Sequence, residues 1–272
     1  MYCSNIDIAR LRSDTEQGLM LLNDWFCANK LSLNVQKTNF MIFRPNHRRA
    51  DDTLFEKVSL GNEQIRRITS AKFLGIIVDD RMEWGEHIDY VASKIASGAY
   101  ALNAAKKHLP KSALKLIYYS LVHSYLTYGT ILWGSATQYK LNRIIVNQKK
   151  CIRKIAGIGY RDHTQPFFKS YKILNCHEIY QIQLGKLMYR YNSYMLPAPL
   201  QAIFTPNNEI HNYETRSRNF PHATKIRLNL VLNSFVHQAP KFWSEIPIGI
   251  RNAPSLASFK FKIKQFIFQR NN

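Results

Sequence analysis

The basic segment of this chain, residues 90–161, is YVASKIASGAYALNAAKKHLPKSALKLIYYSLVHSYLTYGTILWGSATQYKLNRIIVNQKKCIRKIAGIGYR. It contains twelve Lys or Arg and no Asp or Glu. Its apolar residues recur every three or four positions, which is the spacing of amphipathic helices. Pro110 and Gly157 are helix-ending residues. The pattern predicts three successive helices, marked by Ile88 to Leu109, Leu114 to Tyr125 and Leu141 to Ile155.

The charge of the whole chain indicates a partner that carries phosphates. Its 272 residues include 38 Lys or Arg and 18 Asp or Glu, which gives a formal net charge of +20. Lys and Arg bind a nucleic-acid backbone by releasing its counterions. We therefore expect RNA, DNA or an RNA/DNA hybrid as the partner, and a solvated basic face without a partner is the alternative. The candidate contacts are ten cations of the basic segment: Lys106, Lys107, Lys111, Lys115, Lys140, Arg143, Lys149, Lys150, Arg153 and Lys154.

Several other classes of protein are disfavoured by the sequence. No apolar run approaches the roughly 18 residues that a membrane-spanning helix needs, and the N-terminus lacks the apolar core of a signal peptide. We predict an intracellular protein without a membrane partner. The four cysteines form no CxxC pair, which argues against a zinc site. Walker, GxGxxG and HExxH motifs are absent from the sequence.

Two pairs of adjacent aspartates are weak candidates for a metal site. Phosphoryl transfer needs two or three carboxylates that converge on divalent ions. Asp51-Asp52 follows a charged loop instead of a buried strand. Asp79-Asp80 follows the strand-like run Phe73–Val78, but acids at the end of a strand are common turn residues. We predict no metal site in this chain.

A small sheet is predicted in the first third of the chain. Short strands are expected at Leu31–Leu33 and Phe40–Phe43. Val58–Ile65 and Lys72–Val78 are strand-like as well, and we expect these two runs to pair with each other as an antiparallel hairpin.

Three further helices are predicted outside the basic segment. Apolar residues at helical spacing place them at residues 7–29, at His177–Met195 and around Phe259–Ile267. Ser255 or Ser258 is the expected N-cap of the last helix. The fold class is therefore α+β, mainly α.

Motifs before, within and after the basic segment form an ordered set. Residues 22–34 are LNDWFCANKLSLN, followed by Lys37-Thr38 and by FMIF at residues 40–43. The later motifs, in chain order, are Phe73-Leu74-Gly75, Trp84, Tyr128-Gly129, Trp133-Gly134, His211-Asn212-Tyr213, Trp243 and Phe259-Lys260. This set resembles the C-terminal part of the reverse transcriptases of jockey-like non-LTR (LINE-type) retrotransposons.

The resemblance implies a piece of a right-hand polymerase, which is built from fingers, palm and thumb. Residues 1–85 correspond to the C-terminal remnant of the palm, residues 86–160 to a basic helical thumb, and residues 161–272 to a basic, mainly helical C-terminal region. Lys37 matches a lysine that assists the departure of pyrophosphate. Phe73, Leu74 and Gly75 match the hairpin that grips the primer end.

The resemblance also implies which chemistry to expect. The intact enzymes copy RNA into DNA with Mg²⁺ held by catalytic aspartates. Their aromatic-Ala-Asp-Asp turn lies upstream of the position that corresponds to Met1–Ser4, so we expect this chain to lack those aspartates and to hold no cofactor. The expected function is that of a polymerase fragment that binds RNA/DNA primer-template through its thumb and is inactive alone.

Two alternatives stay open at this point. In the first, the chain works within an active polymerase whose N-terminal part comes from another polypeptide or from a longer gene product. In the second, it is a domesticated, non-catalytic basic protein that binds RNA or DNA. The family's chromosomal targets imply a nuclear location.

We predict that the purified chain does not extend a DNA primer on poly(rA), because the metal-binding carboxylates of the family are expected to be missing. The measurement is incorporation of labelled deoxynucleotide on oligo(dT)-primed poly(rA) with Mg²⁺, with an intact reverse transcriptase as the positive control. Incorporation that rises with the concentration of this chain would contradict the prediction.

Overall fold

The computed structural model describes residues 1–44, 55, 58–60, 63–210 and 232–270. The chain divides into two compact units, Met1–Glu83 and Trp84–Asn272. Helices dominate and the sheets are small, which confirms the predicted α+β, mainly α class. Among the described helices, none combines the length and the apolar character that crossing a membrane requires.

The first unit is organised by helix α1, Ile8–Ala28, which confirms the helix predicted at residues 7–29. The carboxylate of Asp7 caps its first turn by accepting a hydrogen bond of 2.9 Å from the backbone N–H of Ala9. Leu19 is the buried residue of this helix. Its core partners come from the segment after the helix, and the cluster is Leu19, Phe55, Val58, Leu60 and Ile65.

A three-stranded sheet lies in this unit, with β1 at Asn39–Phe40, β2 at Val58–Leu60 and β3 at Glu63–Arg67. The strand order is β1-β3-β2, in which β3 pairs parallel to β1 and antiparallel to β2. The predicted strand at Leu31–Leu33 is wrong. Asn34 instead begins a 3₁₀ turn, Val35–Lys37, because its side chain accepts a hydrogen bond from the backbone N–H of Lys37.

A second, separate hairpin pairs β4, Ser70–Phe73, with β5, Ile76–Asp79. The prediction that Val58–Ile65 pairs with Lys72–Val78 is therefore wrong, because each of these runs turns back on itself. Lys72–Val78 folds back on itself because it contains a tight turn. Leu74 and Gly75 have φ values of 47° and 83°, so two residues suffice to reverse the chain in the sense that matches strand twist.

The second unit begins with the basic segment. Its helices are α2 at Gly85–Ala105, α3 at Lys111–Tyr118, a π-helical turn at Tyr119–His123, α4 at Ser124–Thr127, α5 at Thr130–Trp133 and α6 at Gln138–Ala156. The three predicted helices are confirmed, with two differences. The first ends at Ala105, before Pro110, and the second contains the π-helical turn. Gly157, at φ 75°, caps α6 as its position predicted.

The remaining helices complete the second unit. They are α7 at Gln165–Ser170, α8 at Cys176–Asn192, α9 at Ala198–Gln201, α10 at Asn207–Ile210, α11 at Phe235–Glu245, α12 at Ile248–Arg251 and α13 at Leu256–Arg270. The predicted helices at His177–Met195 and around Phe259–Ile267 correspond to α8 and α13, so both are confirmed. Of the two predicted caps, Ser255 accepts a hydrogen bond of 3.2 Å from the backbone N–H of Ser258.

Helix α2 approaches the π-helical turn closely at Gly98. A Cβ at this position would lie 2.6 Å from Val122 Cγ2 and 3.2 Å from the carbonyl oxygen of Leu121. Val122 is fully buried and its β-branched side chain is stiff, so it has little freedom to move aside. Only glycine allows this contact between the two elements.

Gly98→Ala should destabilise the protein by about 1–3 kcal/mol, the usual effect of overpacking a core. Gly249→Ala is the matched control, because nothing lies within 4 Å of a Cβ built at that helical position. It should be neutral or stabilising by up to about 1 kcal/mol. Urea denaturation followed by helical circular dichroism measures both variants. Equal stability of Gly98→Ala and the parent chain would show that this contact is not tight.

Candidate nucleic-acid interface

Helices α2 and α6 pack side by side and run in the same direction. The guanidinium of Arg143 hydrogen-bonds the carboxylate of Asp89, near the N-terminal ends of both helices. One turn further along α6, Asn147 Nδ2 donates to the carbonyl oxygen of Ala92 at 3.0 Å. Because the contacting residues rise together along both helices, their C-terminal ends lie at the same end of the pair.

The position of α6 is fixed by the buried side chain of Gln148. Its Nε2 donates to Tyr118 Oη at 2.8 Å and to the carbonyl oxygen of Leu174 at 2.9 Å. Its Oε1 accepts a hydrogen bond of 3.0 Å from the backbone N–H of Cys176. Burial raises the pKa of the Tyr118 phenol well above its ordinary value, so it stays neutral. One amide thus joins α6 to α3 and to the start of α8.

Five of the ten predicted cations lie at or just after the C-terminal ends of α2 and α6, and we call them the end cluster: Lys106, Lys107, Lys111, Arg153 and Lys154. The first two directly follow α2, the third opens α3, and the last two lie in the final turn of α6. The three lysines of the α2–α3 turn are exposed. Cations at helix C-termini also stabilise the helix dipole, so this placement has a structural benefit whether or not a ligand binds.

The cations in the C-terminal half of α6 differ in the contacts that their side chains make. Lys149 is exposed, one turn before the end cluster. Lys150 Nζ hydrogen-bonds Asn147 Oδ1 at 3.2 Å. Within the cluster, Arg153 Nε donates to the carbonyl oxygen of Asp162 at 3.1 Å, and its guanidinium lies 5.9 Å from the ring centre of Tyr160. Arg153 is thereby held in place by contacts beyond its own helix.

Arg143 is the predicted contact that the structure changes most. Its ion pair with Asp89 raises the pKa of the guanidinium and offsets its charge. Asp89 is the residue just before the basic segment. The segment itself has no acid, but the folded surface around Arg143 includes this carboxylate. The pair borders an open groove of about 610 Å³ between α2 and α6, which Tyr139 and Asn142 also line.

Two predicted cations are not members of the end cluster. Lys140 lies at the start of α6, where its Nζ is 3.9 Å from the position of a Cβ built on Gly85. Lys115 lies on α3, with its Nζ 5.9 Å from the ring centre of Tyr171. The structure therefore divides the ten predicted contacts among different surfaces of the second unit.

The predicted primer-gripping residues lie together at the tip of the β4–β5 hairpin in the first unit. Phe73 is 69% exposed and Leu74 is 76% exposed, with Gly75 completing the turn. The hairpin thus presents two large apolar side chains at its tip. Lys37, the last residue of the 3₁₀ turn, is also exposed.

Of the candidate carboxylates, Asp79 serves local structure. Asp79 Oδ1 accepts hydrogen bonds from the backbone N–H groups of Arg81 and Glu83, at 3.2 and 2.8 Å. This is the turn role that acids at a strand end commonly have. Asp51-Asp52 lies outside the described residues, as does His211-Asn212-Tyr213. Within the described ranges, no three His, Cys, Asp or Glu residues are grouped so that they could hold a metal ion.

Two proteins of Drosophila melanogaster are similar to this chain in sequence. The RNA-directed DNA polymerase from mobile element jockey is 28% identical over 139 residues, which is 50% of this chain and 15% of that protein. The probable RNA-directed DNA polymerase from transposon X-element is 24% identical over 156 residues, which is 55% of this chain and 17% of that protein. This chain is a relative of retrotransposon reverse transcriptases.

The resemblance inferred from the motifs is thereby confirmed at the level of relationship. The match to each of these reverse transcriptases covers less than a fifth of the relative's length. No protein-family model matches the chain, and no solved structure matches it.

Proposed function

We propose that this relative of reverse transcriptases is a polymerase-derived fragment that holds an RNA/DNA primer-template by its phosphate backbone through the end cluster. The observation that carries the proposal is the placement of these cations at the C-terminal ends of two parallel helices and in the turn that follows α2. In the described part of the chain, no carboxylate pairs with Lys106, Lys107 or Lys111. These charges are available to a polyanion.

The names of the relatives supply the class of ligand. An RNA-directed DNA polymerase copies RNA into DNA, so its product duplex is an RNA/DNA hybrid. In this proposal the first unit is the remnant of a palm, and helices α2 to α6 act as a thumb. The thumb contacts the backbone and not the base edges, because Lys and Arg at phosphates position a duplex without selecting its sequence.

The β4–β5 hairpin has a complementary role in the proposal. Phe73 and Leu74 would pack against the primer end, where an exposed base pair offers an apolar face. Stacking of one base on an aromatic side chain is worth about 1–3 kcal/mol. Lys37 would act only within a complete polymerase, where it would assist the departure of pyrophosphate.

The test is the salt dependence of binding to a labelled RNA/DNA hybrid, measured by fluorescence anisotropy. For a duplex, log K falls against log salt with a slope of about 0.9 for each phosphate that a cation neutralises. The triple variant Lys106→Gln, Lys107→Gln, Lys111→Gln should therefore bind more weakly and lower the slope by about 2.7 if all three lysines contact phosphates.

Two controls make the comparison specific. The triple variant Arg10→Gln, Arg66→Gln, Lys241→Gln removes the same charge from exposed positions outside the end cluster and should change the slope little. The double variant Asp89→Asn, Arg143→Gln removes an ion pair at constant net charge and should leave binding close to the parent value. A flat salt response of the parent chain, or equal losses in both triple variants, would refute the proposal.

A further inference from the structure

Cations from four separate segments converge along the C-terminal helix α13. Lys260 and Lys264 lie one turn apart on this helix. Burial lowers the pKa of the Lys264 ammonium, and the nearby positive charges of Lys115 and Lys172 lower it further. Burial likewise lowers the pKa of Lys186, with further contributions from Lys260 and Arg190. We call this set the α13 band: Lys115, Lys172, Lys186, Arg190, Lys260 and Lys264.

The packing of α13 on α8 holds one side of the band in place. The rings of Tyr189 and Phe259 stack with their centres 4.7 Å apart. Next to this stack, Gly185 lies so close to Ile263 that a Cβ on the glycine would overlap the isoleucine side chain. Lys186 directly follows this glycine, which brings its side chain to the cations of α13.

The other side of the band is held through α3 and the turn after α7. Lys115 Nζ lies 5.9 Å from the ring centre of Tyr171, the residue before Lys172. Burial lowers the pKa of His123, which follows α3 in the π-helical turn, and the nearby charge of Lys264 lowers it further, so Lys264 faces these elements too. The band is thus built on packed helices, and its members span residues 115 to 264 of the sequence.

The band concentrates positive charge without local compensation. Protein surfaces usually mix both signs, because like charges in proximity repel. Among the described residues, no carboxylate pairs with a member of the band. Glu245 is an acid of the C-terminal region that lies near α13 in the sequence. Its Oε2 is paired with the guanidinium of Arg270, with an N–O distance of 2.6 Å. A ligand with regularly repeated negative charge would relieve this repulsion along the whole band.

We propose that the α13 band is a second contact surface for the phosphate backbone of a nucleic acid, one that adds the C-terminal helices to the end cluster. The inference rests on the proposed nucleic-acid binding and extends it to the C-terminal helices. Between Lys260 and Lys264 the helix rises about 6 Å. Successive phosphates of one strand rise about 3.4 Å along a duplex axis. These two lysines therefore span roughly two phosphates. The other four cations of the α13 band extend this contact surface on either side.

The test compares Lys260→Gln, Lys264→Gln with the parent chain in the same hybrid-binding assay. The double variant should lower the salt slope by about 1.8, the value for two phosphate contacts on a duplex. Lys260→Arg, Lys264→Arg keeps the charge and should keep the parent slope. Arg10→Gln, Arg66→Gln removes two exposed charges from the first unit and should have little effect.

The possible outcomes separate this inference from the proposed function. A steep parent slope that only the end-cluster variant lowers would overturn the α13 band and leave the proposed function in place. A flat parent slope would overturn both. If the Lys→Arg variant lost as much slope as the Lys→Gln variant, the lysines would serve packing, and the inference would fall. A preference of the α13 band for anionic lipid vesicles over the hybrid would also overturn it.

Discussion

The buried amide of Gln148 is the interaction on which the second unit most depends. A buried amide that lacks one of its partners costs about 1–3 kcal/mol, so its three hydrogen bonds constrain every element that they join. They determine how α6 lies against α3 and where α8 begins. The direction of α6 in turn makes its last turn point the same way as the C-terminal end of α2. The end cluster depends on this arrangement because it includes cations of α3 and α6. The α13 band depends on it because α3 and α8 contribute Lys115, Lys186 and Arg190.

The helices of this protein could be predicted from sequence because their signals are local. Apolar spacing identified the helices of the basic segment, and Gly157 marked the end of α6, whereas α2 ends at Ala105, before Pro110. The pairing of strands could not be predicted in the same way. Leu74-Gly75 is a poor sequence signal for a two-residue turn, since a leucine with positive φ is uncommon. The strand pattern therefore paired the wrong runs, and only the resemblance to the reverse transcriptases implied a hairpin at Phe73, Leu74 and Gly75.

The candidate surfaces show a similar division. The cations themselves are visible in the sequence, but their free or paired state depends on tertiary contacts. Arg143 lies in a segment without acids and is nevertheless paired with Asp89, because α2 lies beside α6. The basic character of the C-terminal region is visible in the sequence, but the convergence of the α13 band is not, since Lys115, Lys172 and Lys264 meet only after folding. Gln148 offered a usable signal, because an amide on an apolar helix face needs buried partners.

We propose above all that folding brings lysines that are distant in sequence into two surfaces, the end cluster and the α13 band, that bind a nucleic-acid backbone. The most direct measurement is the reactivity of each lysine amine toward acetylation, read by mass spectrometry with and without a bound RNA/DNA hybrid. Lys106, Lys107 and Lys111 should become protected together with Lys260 and Lys264, while the exposed Lys241 should keep its reactivity. Equal reactivity of all these lysines in the free and the bound chain would contradict the claim.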